Sequence, residues 1–257
     1  MKKWFETLKK VGSAAVENYK FVLLALAVVA AVLVVAFVSE YLIRKKHKEY
    51  GPEGTGANAK ESFKLHRMTL MAMMAAVAAV LMMFSFPIPG IPVFYKMDFA
   101  ELPVIIGAFA MGPVAGVLME FLKVLINLLL NGTSTVFVGE FANFVMGCCF
   151  IVPASVIYYA RKTKRMSRIG LVVGCLSVTV CSCLLNAYLL LPTYAKLFHM
   201  DINALVGMGS SRNSMIKSLR TFLIFGVVPF NLLKSGVVSL ITVIIYKHIS
   251  RLLKKQA

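Results

Sequence analysis

The chain lacks the common short motifs for cradling ATP and for metal- or serine-dependent hydrolysis. No GxxxxGK[ST] is present, so no P-loop can cradle ATP. Neither HExxH nor GxSxG occurs, which excludes the common metalloprotease and serine-hydrolase arrangements. Cysteine is sparse and odd in number: Cys148, Cys149, Cys175, Cys181 and Cys183 all lie inside apolar runs. That pattern argues against a disulfide framework and fits small buried hydrophobes. The four histidines, His47, His66, His199 and His248, fall in loops or at the ends of apolar runs. They read as interfacial residues, not as metal ligands, and no cofactor is expected. Nucleic-acid-binding motifs are missing as well.

What the chain has in abundance is apolar surface. Of its 257 residues, 59% are hydrophobic, and the mean hydropathy is +0.80. Soluble domains sit near 45–50% apolar. The net charge of +17 would suggest nucleic acid in a soluble protein. Here the Lys/Arg clusters lie between hydrophobic runs, as cytoplasmic loops of a membrane protein do. The fold class expected is therefore an all-α integral membrane protein in the cell membrane, with the lipid bilayer as its solvent.

Spans of about 20 residues divide the chain into seven hydrophobic helices. The first covers Phe21 to Ile43, with lysines on both flanks. It is long for a signal-peptide core and has no clear cleavage site, so it reads as a retained helix. A Gly-rich polar linker follows at Glu49–Ala59. Two units result: 1–60, an extension with one extra transmembrane helix, and 61–257, a six-span domain. The six spans run roughly over Met68–Phe86, the two halves of Phe99–Leu130 split at Gly112-Pro113, Val138–Tyr159, Ile169–Leu191 and Phe222–Tyr246. Positive charge marks three places as cytoplasmic: Lys60, Lys64 and Arg67 before the six spans; Arg161 to Arg168; and Lys247 to Lys255. Both ends of the six-span unit, including the C-terminus, then face inside. The loop after the fifth of these spans, with Lys196, Arg212, Lys217 and Arg220, is a mild exception.

Polar residues inside spans are costly and mark function or helix pairing. With the orientation set by loop charge, Asp98, Glu101, Glu140, Asn143, Asn186, Asn231 and Lys234 all fall in the outer half. Asn231 and Lys234 are three apart and share a helix face, loosened by Pro229. Such a pair suits the edge of a flat, carbonyl-rich heterocycle, and equally suits hydrogen bonding between helices. Glu120 and Lys123 share a face at a deeper level, as a self-neutralising pair or as an ion- or proton-coupled relay. Ala72 and Ala76, and Ala75 and Ala79, are four apart, a spacing that allows close helix approach within the chain or onto a partner.

The run DFAELPVIIGAFAMGPVAGVLMEFLKVLINLLLNGTSTVFVGEFANFVMG resembles the substrate-binding, or S, components of energy-coupling factor (ECF) vitamin transporters. LNAYLLLPTYAKL and VVPFNLLKSGVVSLIT look like the riboflavin-specific members of that family. The resemblance covers about Phe63 to Tyr246. It implies a six-helix S-component bundle that binds riboflavin near its extracellular side and is not an enzyme. It places Asn186, Asn231 and Lys234 on the isoalloxazine ring, with Glu140 and Asn143 as candidates for the ribityl hydroxyls. The loop Pro87–Met97 would close the site. Ala72, Ala76 and Ala79 would dock a transmembrane coupling subunit, and two separate ATPase subunits would hydrolyse ATP. The extra first helix stands outside the pattern. An S component for thiamine, biotin or a folate, or a stand-alone ion-coupled secondary transporter, are the rival expectations.

Overall fold

The structure, a computed structural model, describes residues 19–46, 57–89, 95–133, 137–197, 199–211 and 213–255. Inside lipid the backbone must satisfy its own polar groups, which a helix does within each apolar run, and helices dominate. They are α1 (Tyr19–Lys46), α2 (Ala57–Met83), α3 (Glu101–Met111), α4 (Pro113–Asn131), α5 (Val138–Arg161), α6 (Lys164–Leu185), α7 (Leu191–Leu197), α8 (Ile202–Ser210), α9 (Leu219–Phe222) and α10 (Val228–Lys255). Two five-residue π-helical turns interrupt the long helices, Asn186–Leu190 and Leu223–Val227. A two-strand ribbon, β1 (Phe86–Pro87) and β2 (Lys96–Met97), folds the first loop back on itself, pairing Phe86 with Met97.

Each of the seven apolar runs read from the sequence contains helix among the described residues, but they are not seven equal spans. Among the described residues, five stretches are long and apolar enough to cross a membrane: Leu65–Met83, Pro113–Asn131, Val138–Arg161, Lys164–Lys196 and Leu219–Ile245. Helix α3 has only 11 residues, roughly 16 Å at the helical rise, about half a bilayer core. The break at Gly112-Pro113 shortens it: Pro113 lacks the amide that would continue α3 and serves as the first residue of α4. The fifth span is longer than expected, because α6, the π turn and α7 run on as one apolar stretch to Lys196. Most of the Gly-rich linker read from sequence lies outside the described residues, and Ala57–Ala59 already belong to α2.

The core sits where α3, α4, α5 and α6 meet. Val104, Ile105 and Phe109 of α3, Met119 of α4, Phe150 and Ile151 of α5, and Leu171 of α6 are buried in one cluster. Phe109 stacks on Tyr158 at 4.4 Å between ring centres, joining the far end of α3 to the far end of α5. Exposed large apolar side chains, such as Val77 on α2, Phe121 on α4, Leu176 on α6 and Leu240 on α10, cover the outside as lipid-facing surface. Helices α5 and α6 pack closely, and two glycines permit it. A Cβ at Gly170 would lie 2.5 Å from the Ala154 carbonyl oxygen, and one at Gly174 would lie 2.5 Å from that of Phe150. This is the small-residue spacing of close membrane helix pairs, at positions the sequence reading did not single out.

The loop read as a positively charged connection after α6 is a folded cap. Leu191, Leu205, Val206, Ile216, Phe222 and Val227 form a second core there. Replacing Gly170 by Val forces α5 and α6 apart against a backbone obstacle, so we expect a loss of about 1–3 kcal/mol. It is read as a lower melting midpoint of the purified protein in detergent.

Candidate functional site

Charged side chains near the start of α3 organise one end of the bundle. Asp98 lies just before α3, and its carboxylate accepts the Ala100 amide at 3.0 Å. Lys234 reaches across from α10 and donates to Asp98 at 2.9 Å, with Glu101 at 3.6 Å on its other side. Lys123 of α4 donates to Glu101 at 2.8 Å and to Glu120 at 2.5 Å. Acid and base thus alternate from Asp98 through Lys234, Glu101 and Lys123 to Glu120, drawing the loop before α3, α3, α4 and α10 together. Lys123 and Glu120 are 1% and 0% exposed. At that depth neither charge is tolerable without the other. Glu120 also presses on α5 through Gly147, where a Cβ would collide with its carboxyl group. Glu120 and Lys123 are thus in direct contact, as their shared helix face led us to expect. Burial pushes the Asp98 carboxyl up, but Lys234 and Lys123 outweigh it and hold the group below its usual range.

Beside this ionic chain lies a neutral cluster. Asn231 donates through Nδ2 to Ser182 Oγ at 2.8 Å and to the Val227 carbonyl at 2.9 Å. Asn186 donates to the Ser182 carbonyl at 2.8 Å and accepts from the Tyr95 hydroxyl at 2.6 Å. Both asparagines are buried. The two π turns explain the local geometry. One begins at Asn186, and the other ends at Val227, just ahead of Pro229, whose missing amide a wider turn accommodates. Tyr95 comes from the first loop and packs 5.0 Å from Phe230 and 6.3 Å from Phe222, ring centre to ring centre. Burial, then Tyr194 and Cys183, push its hydroxyl above the ordinary value, so it stays a donor.

The structure thus brings Asn186 and Asn231 together at Ser182. Lys234 lies one helical turn beyond Asn231, held by the acids. Glu140 and Asn143 sit at the same end, at the start of α5, but in a separate setting. Glu140 accepts from Thr133 at 3.1 Å, and Asn143 is half-buried. Val138 and Ala142 between them pack against Leu190 and Tyr194. Along α2, Ala72 and Ala76 are exposed, whereas Ala79 is fully buried beside the core. Residues 90–94 of the expected closing loop lie outside the described residues. Ser182 and Tyr95 were missed in the sequence. Ser182 stands between two cysteines in an apolar run, and Tyr95 stands in a Pro-rich loop, so no spacing signal marked either.

These features define a membrane-embedded helix bundle whose polar groups converge from four helices and one loop at a single end. Residues 66–246 match the family described as "ECF transporter, substrate-specific component". The chain belongs to that family. It is 30% identical over 189 residues to the riboflavin transporter RibU of Staphylococcus aureus (strain TCH60), covering 74% of this chain and 93% of that protein. It is 28% identical to the riboflavin transporter FmnP of Bacillus subtilis (strain 168), covering 75% of this chain and 96% of the relative. RibU of Streptococcus thermophilus (strain ATCC BAA-250 / LMG 18311) is 32% identical, with 74% and 85% covered. A solved structure of the S component of a bacterial ECF transporter superposes with a TM-score of 0.58 at 29% identity, covering 74% of this chain and 99% of that one.

Replacing Lys123 by Met leaves Glu101 and Glu120 without their shared cation. We expect a loss of about 3–5 kcal/mol, measured by thermal unfolding, with part of it recovered in the Lys123→Met/Glu120→Gln double variant.

Proposed function

We propose that this protein is the riboflavin-binding subunit of an ATP-driven ECF importer and binds the vitamin with high affinity. The observation that carries the reading is the convergence of Asn186, Asn231 and Lys234 at one end of the bundle, in a chain similar to riboflavin transporters. Asparagine amides supply both donors and acceptors, and the ammonium supplies donors. Together they match the alternating carbonyl and ring-nitrogen edge of an isoalloxazine.

In this reading Lys234 is positioned by Asp98 and Glu101, and a flavin carbonyl accepts a hydrogen bond from one of its remaining N–H groups. Asn186 and Asn231, oriented by Ser182, serve the rest of the ring edge. Tyr95, Phe222 and Phe230 offer aromatic surface beside it. Tyr95 now holds the Asn186 carbonyl, so ring binding exchanges that bond for one to the ligand. Glu140 and Asn143 are assigned to the ribityl hydroxyls. Riboflavin is carried as a ligand, and no cofactor is required.

The chain has no P-loop, so ATP hydrolysis falls to two separate ATPase subunits through a transmembrane coupling subunit. Ala72 and Ala76, exposed on α2, are assigned to the coupling-subunit interface. Ala79, buried in this conformation, contributes by letting α2 lie close to its own bundle. The binding end faces outside and the C-terminus faces the cytoplasm, as the loop charges require. Residues 61–257 form the vitamin-binding unit and 1–60 the extension.

The test is titration of the purified protein with riboflavin, followed by flavin fluorescence. We expect Lys234→Ala and Asn231→Ala each to weaken binding by the folded protein at least tenfold, about 1.4 kcal/mol or more; Lys234→Ala also lowers the melting midpoint, because it leaves buried Asp98 without its cation. Affinity equal to wild type in both would remove these residues from the site. Binding of thiamine or biotin in place of riboflavin would assign the protein to another vitamin.

A further inference from the structure

The extra helix α1 lies outside the residues that match the family, 66–246, yet it is not peripheral. Ala36 is 0% exposed, buried against Val117 of α4 and Phe144, Val145 and Cys148 of α5. One turn further along α1, Glu40 is 6% exposed. Its Oε2 accepts the Val114 amide at 3.0 Å. Arg67 of α2 lies 3.8 Å from Oε1 of the same carboxylate and donates to the Met111 carbonyl. Gly112 has φ +103°, a backbone geometry suited to glycine, and a Cβ there would stand 3.0 Å from Glu40 Oε2.

Each contact answers a need created by the break between α3 and α4. A helix start leaves several amides without partners, and in lipid no water replaces them. Pro113 removes one such donor, and Val114 is the next. An acceptor with negative charge at that place is favoured by the helix dipole. The last carbonyls of α3 need donors in the same way, and Arg67 supplies one to Met111. The caps at both ends of the break are thus tied to each other by the Glu40–Arg67 ion pair.

We propose that α1 is an integral seventh helix of this bundle, seated on the α4–α5 face, and that Glu40 with Arg67 forms a clasp over the α3–α4 break. The clasp fixes the ends of the two helices that carry Glu101, Glu120 and Lys123. It also sets the direction of α1, antiparallel to α2, so that Tyr19 lies toward the end of the bundle that holds Asn186. A face filled by the chain's own helix is closed to a helix of any partner.

The experiment uses the full chain in lipid nanodiscs and reads amide hydrogen exchange at Val114. Glu40→Ala is expected to speed exchange there roughly five- to tenfold, the consequence of losing a helix cap, with no change near Lys123. Glu40→Gln, which keeps an acceptor, should retain most of the protection. Arg67→Ala should speed exchange at Val114 in the same direction as Glu40→Ala. Exchange in Glu40→Ala equal to wild type overturns the clasp. The seat of α1 is read separately, without disturbing the clasp, by a photo-crosslinking residue at Val32. Adducts to α4 or α5 peptides are expected, and adducts to lipid alone would overturn the proposal.

Discussion

The structure depends on a row of five alternating charges buried at one end of a membrane bundle. Asp98, Lys234, Glu101, Lys123 and Glu120 come from a loop and three helices. None of these charges is stable alone in a low-dielectric interior, so each one fixes the place of its neighbours. The row does what apolar packing in lipid does poorly. Helices gain little hydrophobic driving force from meeting one another there, and directional bonds must set the register. It also explains why α3 can be short: Glu101 and Asp98 anchor its start, and the Gly112-Pro113 break ends it.

The same row places one lysine at the proposed site. Lys234 spends its charge on Asp98 and Glu101, which holds its ammonium beside the Asn186–Ser182–Asn231 cluster. Those asparagines are presented by helices with a wide turn next to each of them. A π turn shifts side-chain direction relative to the rest of its helix and frees backbone groups, a combination often found at functional positions. The proposed flavin site is therefore a place where rigid ionic anchoring and local helix irregularity meet, roofed by Tyr95 from the first loop.

Much of this was legible in the residues. Long apolar runs and loop lysines gave the helices, and Gly112-Pro113 gave the break between α3 and α4. In-span polar residues pointed to one end of the bundle before any contact was known, because lipid penalises them so strongly that few are accidental. What could not be read was partnership. Asn231 and Lys234 share a helix face, yet one bonds to Ser182 and the other to Asp98, 136 positions away. Ser182 and Tyr95 carry no periodic signal. The folded cap built around α8 and the docking of Glu40 on Val114 arise from tertiary contacts that no local pattern encodes. Ala79 shows the converse limit: it shares the small-residue spacing of its helix but faces the interior.

In the proposed function these polar groups form one site for a flavin. The most direct measurement is the visible absorption spectrum of the full chain purified from riboflavin-supplied cells and washed free of unbound ligand. We expect a retained flavin band, shifted from that of free riboflavin, at close to one flavin per chain. A colourless protein that stays colourless after riboflavin is added and washed away would contradict it.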